Sequence, residues 1–434
     1  MKLLIKGAKV FSTKGSETKD VLSEDGIITQ VAKNIEDSAD TIIDGKGKYL
    51  FPGFIDTQVH FREPGLTHKE DLETGSRAAA LGGVTTFFEM PNTNPSTTTV
   101  EAVQQKIESA KTKCVTNFAF YIGATGENLD ELQKSQGLEG ICGIKIFLGS
   151  STGDLLLYES EKLLEIFKNT KCMIACHSEN EIMLRERIEL KNKATSAHDH
   201  PVWRNVETAL SSTQRLIGLA KEAGRKVHVL HITTQEEIEF LAQNKEHCTV
   251  EVTPQHLTLF APDCYDRLGT FAQMNPPIRE VRHRDALWEG VSNMTVDLIG
   301  SDHAPHTKEE KEQGYPKSPS GMTGVQTIVP LMIDYAFKNK LTFERLVELM
   351  CENPAKMYGM NKGFIEVGRD ADFTLIDPDR KSVIQNKDQA SKVGWTPFDG
   401  LELQGFVDYT IVNGKIVAKE GKLTGDVAGK PVTF

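Results

Sequence analysis

Six apolar, β-branched runs of this chain hold or end in residues that packing alone does not require. One closes on Gln58-Val59-His60-Phe61-Arg62 and another at Asn92. A third carries Lys145, and others end at His177, His231 and Asp302. Polar or ionisable groups enclosed among apolar strands are costly unless they are paired or bound to a metal. Imidazole and carboxylate together suit zinc, held by protein groups with one position left open for water. Gln58 and His60 lie two apart on an extended run, so both side chains point the same way. His228 and His231 lie three apart and face opposite sides. His231, at the end of its run, is the expected ligand, and His228 is expected to be a hydrogen-bonded wall residue. The same parity separates Asp302 from His303.

Lys145 is the odd member of this set. A protonated lysine cannot ligate a metal and would repel one. Stripped of its proton by burial, its amine can react with carbon dioxide to give a carbamate, an anionic ligand with two oxygens. The alternative is a cation that pairs with Asp302 or with a carboxylate of the substrate.

Such residues need a scaffold that brings strand ends together. Eight apolar runs, 49–61, 83–91, 116–125, 142–148, 172–178, 226–233, 249–257 and 295–305, are candidate strands. Between them lie segments of helical periodicity, as in 69–81, 155–168, 205–223 and 284–290. Strands alternating with helices predict a parallel sheet, and eight is the number that closes a barrel with its active site at the C-terminal strand ends. The two ends read differently. Residues 1–50 show short alternating runs with turn punctuation, and 371–376, 407–412 and 415–418 repeat that manner around an Asn413-Gly414 hairpin turn. The expected organisation is a small β unit built from 1–50 and 366–434, flanking a barrel over 51–365.

Composition narrows the function. With 61 acidic against 50 basic residues, the 434-residue chain carries a net charge of -11. That argues against sequence-independent binding of nucleic acid and against docking on an anionic membrane surface. The N-terminus gathers only Leu3 to Ile5 before Lys6 interrupts, too little for a signal-peptide apolar region. Seven cysteines without a CxxC pair read as reduced thiols of a cytoplasmic protein.

The ordered segments FIDTQVHFREPGLTHKED (54–71), EMPNTNP (89–95), GIKIFLG (143–149), HSEN (177–180), HVLHITT (228–234), MNPPIR (274–279) and GSDHAPHT (300–307) resemble the dihydroorotases of the amidohydrolase superfamily. The resemblance runs over essentially the whole chain. It implies an α/β fold, a distorted (β/α)8 TIM barrel with a β-sandwich made by both termini. It implies a zinc enzyme of pyrimidine biosynthesis that interconverts L-dihydroorotate and N-carbamoyl-L-aspartate, with Lys145 carboxylated. By the same resemblance His60, Lys145 and Asp302 form one metal site, and Lys145, His177 and His231 the other. Water made acidic by the metal attacks the ring amide, and Asp302 takes its proton and returns it to the leaving nitrogen. Arg62, Asn92, Asn275 and His306 match substrate-holding positions, and the backbone at Ser320-Gly321 lines the pocket. The same resemblance allows a small-molecule substrate and an association with aspartate transcarbamoylase as partners, and a homodimer is expected only because it is the commonest soluble homo-oligomer.

Two features set this chain among its relatives. The first strand of the family usually reads HxH, and here it reads Gln58-Val59-His60. Three outcomes are open: one tight zinc, a second zinc held loosely, or a catalytically silent homologue kept as a partner of another pyrimidine enzyme. Arg62 offers a guanidinium to a ring carboxylate. The related allantoinases and hydantoinases act on cyclic amides that lack this group, and their corresponding position is not normally arginine. The alternative for Arg62 is an ion pair with Glu63 or Glu70. His68, His198, His200, His247 and His283 are expected to be exposed, and 308–312 to be a solvated charged face. His256 is either a neighbour of the metal site or a wall residue. The small residues of 149–153 suggest a loop that closes over substrate, with Thr152 in contact.

Overall fold

The computed structural model describes residues 1–151 and 155–434, so Thr152 lies outside the described residues. Eight parallel strands follow one another in chain order: β1 (Phe54–Val59), β2 (Val84–Glu89), β3 (Asn117–Gly123), β4 (Ile141–Phe147), β5 (Ile174–His177), β6 (Val227–Val229), β7 (Cys248–Val252) and β8 (Leu298–Ile299). The ends of this sheet meet where Val59 bridges His303 and the His60 N–H donates to the His303 carbonyl at 2.7 Å. The result is the expected eight-stranded barrel.

The strands are shorter than the apolar runs, for local reasons. Run 49–61 divides at Gly53, where a Cβ would stand 2.3 Å from Thr85 Oγ1 and 2.7 Å from Asp372 Cβ. Tyr49–Pro52 leaves for the terminal sheet and Phe54–Val59 enters the barrel. Run 249–257 stops at Val252 because Thr253 caps a helix, Pro254–Thr258, by accepting the N–H of His256. The last run keeps only two strand residues, since Asp302 takes a left-handed backbone (φ 44°) and turns the chain.

Helices cover the barrel. Asp71 starts Leu72–Leu81 with a capping box, and Asn205 caps Val206–Glu222. Their apolar faces pack on outward strand residues such as Phe87, Phe118, Ile146, Val227 and Val250 in one continuous core. A second cluster, Ile55, Phe88, Ala119, Tyr121, Ala175 and Leu298, fills the barrel together with Tyr358 and the terminal Phe434. Lys145 is flanked in register by Gly123 and Ala175, whose small side chains leave it room.

Strands from both termini build one nine-stranded, mostly antiparallel sheet. Its halves join where Tyr49–Pro52 pairs parallel with Lys2–Ser12 and antiparallel with Phe373–Val383. All seven cysteines are unpaired thiols. Among the described residues no helix is long and apolar enough to cross a membrane.

Candidate active site

One narrow cavity at the C-terminal strand ends is lined by Gln58, His60, Lys145, His177, His231 and Asp302, with Asn275, Ser320 and Gly321 on the facing loops. Three strand-end residues here adopt left-handed backbone: Arg62 (φ 64°), His231 (φ 37°) and Asp302 (φ 44°). Such conformations cost a non-glycine residue about 1–3 kcal/mol and gather where function demands them. The turn at His231 overrides strand parity. His228 and His231 both reach the barrel interior, His228 deeper, where it meets Thr249 Oγ1 at 2.9 Å and Glu251 Oε2 at 3.5 Å.

The histidines come in two settings. His60 Nδ1 lies 2.7 Å from Asn92 Oδ1, and its Nε2 lies 3.1 Å from Asp302 Oδ1. Burial keeps the His60 pKa below its usual value, so the ring is neutral and has one proton for two acceptors. With that proton on the Asn92 side, a ring lone pair faces a carboxylate oxygen. On the other side, His177 Nδ1 and His231 Nε2 lie 3.0 Å apart. Burial lowers both of these pKa values as well, His231 furthest. His177 Nε2 lies 3.0 Å from Glu179 Oε2, not in line for a full hydrogen bond, and His231 Nδ1 is buried without a partner.

These donors fit a metal in one specific way. Among the described residues no three His, Cys, Asp or Glu side chains gather at one point. They stand as two pairs, with Lys145 on the same cavity wall and its charge felt by all three histidines. Burial pushes the Lys145 pKa down to about 8, and its Nζ sits 4.5 Å from the centre of the Phe147 ring. Among the described residues it makes no hydrogen bond or ion pair. A carbamate on this amine would complete both pairs with an anionic ligand. The donor set therefore fits zinc, provided Lys145 is carboxylated.

The substrate-side residues lie around the cavity at different depths. Asn275 lines it directly, while Asn92 stands behind His60. Arg62 is buried, its Nε donating to the Pro305 carbonyl at 3.2 Å and its Nη2 lying 3.3 Å from His306 Nε2. The Arg62 ion pair with Glu63 or Glu70 does not form: Glu63 binds Lys113 at 2.7 Å, and Glu70 faces His303 at 3.4 Å. His306 Nε2 lies 3.1 Å from the Ser320 carbonyl, and its Nδ1 lies 3.2 Å from Lys69 Nζ. At Gly321 (φ 149°) a Cβ would stand 2.3 Å from the Ala304 carbonyl oxygen, so this wall of the pocket requires glycine.

Several expectations of exposure are overturned. His200 and His283 are buried, because each is covered by segments remote in sequence. His200 meets Met274 and Asn275, and His283 Nδ1 accepts the Gln235 N–H at 3.0 Å. The charged stretch 308–312 is solvated at Lys308, Glu309 and Glu312 but not at Lys311. Lys311 is fully buried and donates to the carbonyls of Gln273 (3.1 Å), Pro319 (2.9 Å) and Gly321 (3.0 Å), tying two cavity walls together. Glu310 pairs with Lys69 at 2.9 Å. His256 is a wall residue, held by Thr253 Oγ1 at 2.8 Å and the Pro276 carbonyl at 3.1 Å. Glu179 pairs with buried Arg204 beside the site, and the only signal for it in the sequence is a carboxylate two residues past His177.

Comparison with known proteins gives the family of the chain. The amidohydrolase family model matches residues 49–417. The chain is 36% identical over 431 residues to a dihydroorotase of Methanosarcina mazei, covering 96% of this chain and 94% of that protein. It is 32% identical to an L-hydantoinase of Paenarthrobacter aurescens, covering 97% and 95% of the two chains. The solved L-hydantoinase (dihydropyrimidinase) from Arthrobacter aurescens superposes with a TM-score of 0.95 at 31% identity, over 100% of this chain and 99% of that one. With a barrel, a site at its strand ends and relatives over its full length, the chain belongs to the amidohydrolase family and is a hydrolase of cyclic amides.

Proposed function

We propose that this hydrolase is a zinc-dependent dihydroorotase, opening and closing the ring of L-dihydroorotate in pyrimidine biosynthesis. The observation that carries the reading is Arg62, a buried guanidinium set beside His306 next to the cavity, suited to the ring carboxylate of an acid substrate. The full-length dihydroorotase relatives support it.

His177 and His231 would hold one zinc with carboxylated Lys145, and His60, Asp302 and the same carbamate a second. Bound zinc supplies a polarised carbonyl and water acidic enough to react near neutral pH. Asp302, at the end of β8, takes the proton of the attacking water and hands it to the ring nitrogen as the amide bond breaks. Asn92 fixes the His60 ring by its Nδ1 side and so directs Nε2 to the site. Asn275 and the Ser320-Gly321 backbone orient the ring, and Arg62 holds its carboxylate.

One observation favours a second reading, a hydantoinase: the L-hydantoinase structure matches this fold with a TM-score of 0.95. The two part on substrate. Protein purified without added metal, with and without zinc supplement, would be assayed for ring opening of L-dihydroorotate and of a 5-substituted hydantoin. Preference for dihydroorotate by kcat/KM is the expected result. Preference for the hydantoin would transfer the assignment, and no turnover of either with zinc present would leave a silent homologue.

A further inference from the structure

His200 lies on the short helix His200–Trp203, buried against the loop that carries Asn275. Two acceptors meet its Nε2: the Met274 carbonyl at 2.9 Å and Asn275 Oδ1 at 3.0 Å. A backbone carbonyl has no proton to give, so Nε2 carries the ring proton. Nδ1 is then a lone pair, and it accepts from the Tyr315 hydroxyl at 3.3 Å. Burial, reinforced by the charge of Arg204, pushes the His200 pKa down to about 3, so the ring holds a single proton.

This tautomer decides how Asn275 is turned. A reversed carboxamide would set its N–H against the His200 N–H, two donors face to face. The amide therefore shows oxygen to His200 and nitrogen away from it, where Nδ2 reaches Ser151 Oγ at 3.4 Å. Asn275 and Ser151 both line the cavity with Asp302 and His231. An amide nitrogen has two protons, and Ser151 takes one.

We propose that His200 is a positioning residue: through the Met274 carbonyl and its own Nε2–H it locks the Asn275 amide so that the cavity is offered an N–H, which selects a substrate oxygen, carboxylate or ring carbonyl, at that point. This rests on the reading that the cavity binds a cyclic amide. It concerns which atom of that substrate Asn275 meets.

The test is a double-mutant cycle read in KM and kcat for L-dihydroorotate, with zinc content measured alongside. His200→Phe keeps a ring and removes the donor. It is expected to raise KM about tenfold, the size of one hydrogen bond, with kcat and zinc little changed. In an Asn275→Ala background the same substitution should add nothing to KM. His200→Gln, which can place an amide N–H where Nε2–H stood, should restore KM and stands in if the Phe variant does not fold. Equal effects of His200→Phe in both backgrounds would overturn the proposal, since a general structural role acts whether or not Asn275 is present. An Asn275→Ala variant with unchanged KM would overturn it too, because no oxygen would then be selected there. Nitrogen NMR of the histidines at neutral pH provides a readout free of substrate: a proton on Nδ1 of His200 refutes the tautomer even if turnover of this substrate is absent, whereas Nε2–H without turnover means that the substrate assignment alone has failed.

Discussion

Gln58 and His60 converge on a single oxygen: Gln58 Nε2 and His60 Nε2 each lie 3.1 Å from Asp302 Oδ1. The Gln58 carboxamide thus turns its nitrogen to the carboxylate, and its own Oε1 is buried with no partner. In this orientation Gln58 steadies Asp302 through its nitrogen, and a carboxamide oxygen is a weaker zinc ligand than an imidazole. Gln58→His is expected to retain a second zinc through dialysis that the natural chain releases, as read by elemental analysis. Gln58→Ala should keep the zinc of the His177–His231 pair. Equal zinc in all three proteins would show that position 58 does not govern the first site.

Arg62 supplies the second prediction. Replacing a charged hydrogen-bond donor removes about 1.5–3 kcal/mol, so Arg62→Ala should raise KM for an acid substrate about 10- to 100-fold. Zinc content should stay constant, because Arg62 touches Pro305 and His306 and no candidate ligand. Arg62→Lys should recover little, since an ammonium lacks the planar fork. Zinc lost together with binding would mean that Arg62 serves to hold the strained strand end.

The barrel and most of the site were legible because they rest on local rules. Period-two alternation placed Gln58 and His60 on one face, and strand ends carried Lys145's neighbours His177 and Asp302. What could not be read depends on distant chain. His200 looks exposed until the 274–275 loop and Tyr315 close on it, and Lys311 looks solvated until 318–321 and Trp395 cover it. His231 broke strand parity through one left-handed residue, a backbone choice that side-chain spacing does not reveal.

Acid sensitivity follows from the buried neutral histidines, and three of them set its window. Burial pushes the pKa of His200 to about 3 and those of His256 and His283 to about 4, against an unfolded value of 6.5. Each takes up a proton on unfolding once the pH is below 6.5, so the unfolded state binds more protons there. Stability is then complete above pH 6.5 and declines as the pH falls toward 4. The melting temperature should drop over that window. His283→Asn, which can still accept the Gln235 N–H, should flatten the decline. A variant as acid-sensitive as the parent would exclude His283 as a contributor.

Glu179 carries two roles that mutation can separate. Burial would raise its pKa, but the charge of Arg204 prevails and holds it at about 2, so its contribution is complete above pH 4.5 and is lost as the pH falls toward 2. Removing one partner of a buried ion pair costs about 3–5 kcal/mol, whereas replacing both by neutral groups is often tolerated. Glu179→Gln should therefore lower the melting temperature sharply, and adding Arg204→Met should recover much of it. Zinc affinity should behave differently. The Glu179 carboxylate beside His177 Nε2 favours the proton there and leaves Nδ1 free to face His231. Losing such a partner weakens metal binding about 10- to 100-fold. Competition with a chromogenic chelator should show that loss in the single variant and equally in the double. If the double variant regained zinc affinity along with its melting temperature, Glu179 would be the counter-charge of Arg204 and would not orient His177.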